Sequence, residues 1–338
     1  MRRAKLGIIG LGYIGKIHLR NCLSLKSADV SAVSDLSKKA LSSAKKMGAK
    51  DTFKDYQQLL KDGDVDAVVI ALPTHLHLDC VREAAEAGKH ILVEKPLARN
   101  VAEGKEIVSL ARKNGVKLMV GYHLRFCSSF LALKERMQKG ILGEVQIAYA
   151  TNVGPGPFMH RADGYSPRPV PSWWFRKELT GGGALMDSGS HMINLLRWFF
   201  GDVVDVKCYL RHGFNMDAED QAMCFFKFAI ATTAVLNVGW FSQKSQTKVE
   251  LFGTVEYESA EHAPPSKIVT VLQLLTRRTP SFYLPYLSEL DYFVQCIRRD
   301  LQPSPSGSGA LKDLETISLA YKNGITLGAE SQPSYGDL

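Results

Sequence analysis

Lys5-Leu6-Gly7-Ile8-Ile9-Gly10-Leu11-Gly12-Tyr13-Ile14-Gly15, close to the start of the chain, is the stretch whose reading decides the fold. Lys5–Ile9 is a short apolar strand, and Tyr13–Leu25 has helical spacing through Ile14, Ile17, Cys22 and Leu25. The glycines sit between the two. Gly10 permits a tight turn, Gly12 lets the backbone approach a pyrophosphate, and Gly15 lets helix and strand pack closely. N–H groups at a helix start, with the helix dipole behind them, attract an anion. Asp35 ends the next strand, Val30–Ser34, twenty residues past Gly15, where an acid accepts hydrogen bonds from an adenosine ribose. A GxGxxG alone is weak; in strand–turn–helix context with Asp35 it predicts a dinucleotide site. A carboxylate at Asp35 repels a 2′-phosphate and favours NAD over NADP. Lys38 and Lys39, just beyond, are solvated helix residues or a partial offset, so NADP stays open.

Outward from this unit the alternation continues. Ser37–Met47 reads as helix, Ala67–Ala71 as an unbroken apolar strand followed by helix to Ala87, then strand His90–Glu94, helix to Asn114 and strand Lys117–Gly121. Apolar strands alternating with helices predict a doubly wound parallel sheet. After about Tyr122 the pattern changes. Helices at Ser128–Lys139 and about Gly183–Phe200 accompany strands at Glu144–Thr151, Val203–Leu210, Gln221–Phe228, Thr232–Val238, Thr247–Phe252 and Lys267–Leu274. Helices Pro285–Arg298 and Gly309–Leu327 close the chain. The expected architecture is an α/β Rossmann dinucleotide-binding domain over 1–122. An α+β domain with an open, mainly antiparallel sheet follows over 123–338, its C-terminal helix available to pack back on the first. An exposed sheet face of that size calls for a cover, so a homodimer or homotetramer is expected.

The composition agrees with this size and class. The 338 residues are 45% hydrophobic and 22% charged, which excludes a disordered chain or a fibre. No apolar run approaches the ~20 residues of a membrane helix. Arg2 and Arg3 precede an apolar stretch cut by Gly7, Gly10 and Gly12, which reads as a first strand rather than a leader. The formal net charge is +8, but the basic residues come singly or in pairs. A solvated basic surface with a general attraction for small anions fits that better than nucleic acid. Six scattered cysteines without a Cys-x-x-Cys pair fit a reducing, cytoplasmic compartment.

Two further strand ends carry polar groups. Pro73-Thr74-His75-Leu76-His77 follows one apolar strand and Glu94-Lys95-Pro96 another, and ligands of open parallel sheets bind outside carboxyl ends. Lys95 is then a cation near a bound nicotinamide, or a surface lysine at a helix start. In the second domain, Gly181-Gly182-Gly183-Ala184-Leu185-Met186-Asp187-Ser188-Gly189-Ser190-His191 places Asp187, His191 and Asn194 on one stripe of an otherwise apolar helix. A buried, mutually satisfied Asp–His pair is one reading and a catalytic acid–base pair the other. HExxH is absent and no metal site is expected. The loop Val153–Ser172, rich in proline, contributes to a substrate pocket or is disordered, with His160, Arg161 and Asp163 as guesses at contacts. His212 and His262 belong to no constellation and read as surface or loop residues.

Taken in order, GLGYIG, PTHLH, EKP, the VGYHLRF segment at Val120–Phe126 and GGGALMDSGSH make the sequence resemble the glucose–fructose oxidoreductase / inositol dehydrogenase (Gfo/Idh/MocA) family of NAD(P)-dependent oxidoreductases, over nearly the whole chain. The resemblance implies a catalytic set of Lys95, Asp187 and His191. It implies a cofactor lined by Gly10, Gly12, Tyr13, Ile14, Gly15, Asp35, Thr74, His77, Glu94, Lys95, Arg125, Trp174 and Arg176. Tyr122 and His123 join Lys95, Asp187 and His191 as substrate-binding residues. Asn194 stands where many members have Asp, which puts an accessory contact in doubt. The implied reaction moves a hydride between nicotinamide and a secondary hydroxyl of a sugar, cyclitol or sugar derivative, nucleotide sugars included. Near neutral pH a histidine such as His191 takes the hydroxyl proton. Lys95 would stabilise the alkoxide. A non-catalytic NAD(P)-dependent sugar sensor on the same fold is the alternative, against which the retention of Lys95, Asp187 and His191 argues. A reductase of a non-sugar substrate is the third reading, and the polar stripe suits a polyol better.

Overall fold

The computed structural model describes residues 3–161, 164–167, 170–214, 216–263 and 283–327. The chain forms two compact units. The first comprises Met1–Phe126 and Pro264–Leu311, the second Cys127–Ala263 and Lys312–Leu338.

In the first unit, strands β1 (Ala4–Ile9), β2 (Ala28–Ser34), β3 (Asp51–Phe53), β4 (Ala67–Ile70), β5 (His90–Glu94) and β6 (Leu118–Gly121) form one sheet in the order 3-2-1-4-5-6. Every pairing is parallel. The strand order reverses between β1 and β4, the switch point outside which open α/β sheets bind ligands. The helices are α1 (Tyr13–Ser24), α2 (Lys38–Met47), α3 (Tyr56–Asp62), α4 (His77–Glu86) and α5 (Val101–Lys113). Local chemistry sets their ends. Ser37 caps α2 by accepting from the Ala40 N–H, and Gly48 closes it at φ 118°. Asn100 caps α5 through the Glu103 N–H at 3.0 Å. β3 and α3 lie in a stretch whose three-residue strand is too short to show a period in the sequence.

The core of this unit joins Leu6, Ile8, Leu19, Cys22, Val69 and Leu92 to Leu290, Phe293 and Val294. Those last three come from a helix far downstream, Leu284–Arg298. Ser27 also donates to Asp291 of that helix at 2.8 Å.

The second unit is built on seven strands: β7 (Val145–Val153), β10 (Val203–Arg211), β11 (Gln221–Phe228), β12 (Thr233–Gly239), β13 (Gln246–Gly253), β14 (Tyr257–Glu261) and β15 (Gly324–Leu327). Their order is 14-13-7-12-11-10-15. Four pairings are antiparallel, while β12–β7 and β10–β15 are parallel. Alternation is clear on β10, where Val206, Cys208 and Leu210 are buried and Lys207, Tyr209 and Arg211 face outward. The outward residues Tyr149, Tyr209, Met223, Phe225, Phe252 and Tyr257 are exposed and large.

The sequence reading of the last helix needs correction. Gly307–Lys322 is helical, but Gly324–Leu327 leaves the helix and pairs with β10. A Gly followed by β-branched Ile325 and Thr326 favours that exit. Within the stretch read as a loop, β8 (Phe158–Arg161) and β9 (Gly164–Pro167) pair antiparallel. The expected strand Lys267–Leu274 lies outside the described residues. Among the described residues no helix is long and apolar enough to cross a membrane.

Candidate active site

The first unit collects its predicted site residues at the carboxyl ends of β1, β2, β4, β5 and β6. Gly10 takes φ +89°, and a Cβ there would lie 2.6 Å from the Ala71 carbonyl oxygen. A Cβ at Gly15 would lie 1.9 Å from the Gly10 carbonyl oxygen, so strand end and helix meet backbone to backbone. A Cβ at Gly12 would meet nothing within 4 Å, and no side chain caps α1. The N–H groups at the start of α1 therefore open onto space that a pyrophosphate fits. Ile14 is half-buried and Tyr13 exposed, its hydroxyl 3.0 Å from that of Tyr283.

Asp35 follows β2. Its Oδ2 accepts the Leu11 N–H and its Oδ1 the Ser37 N–H, each at 2.7 Å. Each carboxylate oxygen retains acceptor capacity, as ribose recognition requires. The glycine turn, the uncapped helix start and this acid together fit a dinucleotide.

After β4, Thr74 is buried in a 3₁₀ turn and His77 opens α4. His77 is a strut. Its Nε2 lies 3.0 Å from the Leu72 carbonyl oxygen, and its Nδ1 lies 3.1 Å from that of Pro96 and 3.3 Å from that of Leu97. The ring ties the β4 loop to the segment after Lys95. Burial holds its imidazole below the usual histidine value.

Glu94 ends β5. Its Oε1 is 2.7 Å from Nε2 of His18 on α1, and its Oε2 accepts the Lys95 N–H at 3.3 Å. After β6, Tyr122 and His123 are buried and Arg125 is half-buried, donating to the Ser304 hydroxyl at 3.3 Å. The His123 ring stacks on Tyr286 of the helix Leu284–Arg298 at 3.9 Å. Sequence reading missed His18, Tyr286 and Glu289. No spacing motif links them, because they meet only in the fold.

In the second unit the Asp187–His191 stripe does not lie on a plain α-helix. Leu185–Gly189 forms a π-helical turn that runs into the helix Ser190–Phe200. Such turns break the regular spacing and occur often at functional sites. Asp187 is half-buried and accepts from the Ser188 hydroxyl at 3.3 Å, and His191 is buried. Asn194 turns elsewhere. Its amide donates to Asp313, which also pairs with Arg197, so Asn194 belongs to a structural network. The π-turn is held by Glu219, itself buried, whose carboxylate accepts the N–H of Gly183 and Leu185 and the Tyr321 hydroxyl. Burial pushes the Glu219 carboxyl above the usual range against the pull of these donors. Asn152 of β7 donates to the Ser188 carbonyl at 3.0 Å.

Trp174 lies half-buried in a 3₁₀ turn, Ser172–Phe175, and exposed Arg176 pairs with Glu178 at 2.6 Å. Phe158 and Phe175 pack with Ala184 and Trp240, anchoring this stretch beside the π-turn. Side chains at His160 and Arg161, and Asp163 as a whole, lie outside the described residues. His262 is not isolated: its Nδ1 lies 3.3 Å from the Cys127 sulfur. The fold also sets Cys208 and Cys224, paired in register on β10 and β11, 2.7 Å apart.

Residues 4–122 match the model of an oxidoreductase family with an NAD-binding Rossmann fold, GFO/IDH/MocA, and residues 130–256 match the GFO/IDH/MocA C-terminal domain. The chain is 28% identical over 322 residues to an uncharacterized oxidoreductase of Bacillus subtilis, covering 90% of each. It is 27% identical to a myo-inositol 2-dehydrogenase of Thermotoga maritima, covering 90% of this chain and 91% of that one. A crystal structure of scyllo-inositol dehydrogenase from Lactobacillus casei, with bound NAD(H) and scyllo-inositol, shares the fold. Its TM-score is 0.78 at 23% identity, covering 96% and 97% of the two chains. With one family's two domain models matching in order along most of its length, the chain belongs to the GFO/IDH/MocA family of oxidoreductases and carries that family's NAD-binding Rossmann fold.

Proposed function

We propose that the protein is an NAD-dependent dehydrogenase of a secondary hydroxyl on a sugar, cyclitol or sugar derivative. The observation that carries this reading is one family member's joint possession of Lys95 at the end of β5 and of Asp187 and His191 at a π-turn braced by Glu219. A non-catalytic sensor has no need of that brace or of a base. The names of the relatives, inositol dehydrogenases among them, support the polyol class.

Bound NAD supplies the hydride acceptor. The N–H groups of the Gly10–Gly15 turn hold its pyrophosphate and Asp35 its adenosine ribose. Lys95 stabilises negative charge developing on the substrate oxygen. His191 accepts the hydroxyl proton, and Asp187 orients a substrate hydroxyl. In the first unit Glu94, Thr74, His77 and Arg125 serve the cofactor and Tyr122 and His123 the substrate; Trp174 and Arg176 are the second unit's cofactor residues. The second unit carries substrate recognition and assembly, and the first, built on 1–122 and completed by the helix Leu284–Arg298, holds the cofactor. The outward face with Tyr149, Tyr209, Met223 and Phe225 packs against a second copy, giving a dimer or tetramer. Six free, buried cysteines fit a cytoplasmic setting.

The test is a panel of polyols, sugars, sugar acids and nucleotide sugars, read by NADH absorbance with NAD and NADP in parallel. Turnover of a polyol with NAD is expected. Binding of a sugar without reduction of either cofactor across the whole panel favours the sensor.

A further inference from the structure

Behind Lys95 lies a buried cluster assembled from three distant parts of the first unit. His18 comes from α1, Glu94 from the end of β5, and Glu289 from the helix Leu284–Arg298. One side-chain nitrogen or oxygen from each lies within 4.8 Å of the others. His18 and Glu289 are 0% exposed and Glu94 is 7% exposed. His18 and Glu94 form a 2.7 Å hydrogen bond, whereas neither Glu289 oxygen has a hydrogen-bond partner among the described residues. Gly121 leaves the Glu94 carboxyl its place. A Cβ on Gly121, in the neighbouring strand β6, would already lie 3.0 Å from that carboxyl.

A buried acid without a partner is costly, and two carboxylates this close do not both ionise in a core. One proton must stay. Three titratable groups flank Glu289: His18 from α1, Glu94 from β5, and Tyr286 one turn earlier on its own helix. None supplies a fixed positive charge. The same helix also touches the mouth of β6, where Tyr286 stacks on His123, and its ring meets His18 edge-on at 5.9 Å.

We propose that Glu289 is a positioning residue that stays a neutral carboxylic acid and, with His18, clamps Glu94, fixing the strand end from which Lys95 projects. This rests on the role given to Lys95 above. Glu289 closes the cluster without adding a negative charge of its own. Burial and the Glu94 charge push the Glu289 carboxyl well above the usual carboxylate range, in keeping with this.

Four measurements on the full chain test it. Infrared spectroscopy of the protein without cofactor should show the C=O stretch of a protonated carboxylic acid at neutral pH, and Glu289→Gln should remove that band. In turnover, Glu289→Gln keeps the neutral polar shape and should stay within about threefold of the parent. Glu289→Leu should lower kcat by about 10- to 100-fold through misplacement of Lys95, with little change in NAD affinity by calorimetry. Elemental analysis should find no stoichiometric divalent metal in the purified protein. The proposal is overturned by absence of the infrared band, by a Gln variant as impaired as the Leu variant, by a folded Leu variant at the parental rate, or by a bound metal. If Glu289→Leu does not fold, the band and the Gln variant decide. Failure of the dehydrogenase reading would leave the band in place; failure of the clamp would remove it from a protein that still reduces NAD.

Discussion

Glu219 Oε1 accepts a 2.9 Å hydrogen bond from the backbone N–H of Leu185, the first residue of the π-turn that carries Asp187. The two are 34 residues apart in sequence, so a buried acid on one strand's approach sets the shape of a candidate catalytic turn. Glu219→Ala leaves at least two N–H donors and the Tyr321 hydroxyl without this acceptor. We expect a loss of about 3 kcal/mol in urea unfolding, and about 1 kcal/mol for Glu219→Gln, which keeps one acceptor oxygen. Equal stability of the alanine variant and the parent would mean the brace is dispensable.

Asp35 is expected to set cofactor choice. Asp35→Ser removes a charged acceptor shared by Leu11 and Ser37. Calorimetry should show NAD affinity falling by about 10-fold and the preference over NADP narrowing. Tighter binding of NADP than NAD by the parent would assign the choice to Lys38 and Lys39 instead.

Chemistry is tested at Lys95 and His191. Lys95→Met should bind NAD normally, because the pyrophosphate contacts lie at Gly10–Gly15, yet lose about 10²–10³-fold in turnover. His191→Asn should lose on the order of 10²–10⁴-fold. Parental rates in both folded variants, on a verified substrate, would return Asp187 and His191 to a structural role.

Acid sensitivity has a specific source at His77. Burial lowers its pKa below the usual 6.5, so the unfolded chain binds the proton more tightly than the folded one. The stability this provides is complete above pH ~6.5 and is lost as pH falls through the folded value. Urea midpoints between pH 5 and 8 should decline toward acid. His77→Gln should flatten that decline while lowering stability at pH 8. An unchanged slope would place the acid response elsewhere.

Assembly is read at the sheet face. Phe225→Glu together with Met223→Glu should convert the oligomer to a monomer by light scattering while leaving the circular dichroism spectrum unchanged. A parent that is already monomeric at micromolar concentration removes the assembly proposal.

The first sheet, its edge strand β3 apart, was legible because its strands are apolar runs between helices with 3.6 periodicity, and because glycines at 10, 12 and 15 have positions only a tight turn explains. Asp35, Lys95, Asp187 and His191 were legible as motif residues. What the sequence hid has a common physical cause: it depends on contacts between distant segments. Glu219 looks like any strand-flanking acid until it is found beneath Gly183. Cys208 and Cys224 show no spacing signal because an antiparallel register, not a motif, brings them together. The π-turn is invisible because Leu185–Gly189 has an ordinary helical composition. Asn194 read as part of the site stripe, whereas its partner Asp313 arrives from the last helix.

The helix Leu284–Arg298 has a consequence for biosynthesis. Leu290, Phe293 and Val294 complete a core whose other members, Leu6 to Met119, have already been translated. A ribosome adding ~5–20 residues per second needs roughly 10–30 s to travel from Phe126 to Arg298. For that interval the nascent dinucleotide sheet waits with an apolar flank and with Glu94 and His18 uncovered by Glu289. All of the second-unit sheet except β15 emerges in the meantime. The chain is therefore most exposed to chaperones and to premature cofactor capture midway through its own synthesis, and a fragment ended at Phe126 would stay in that state permanently.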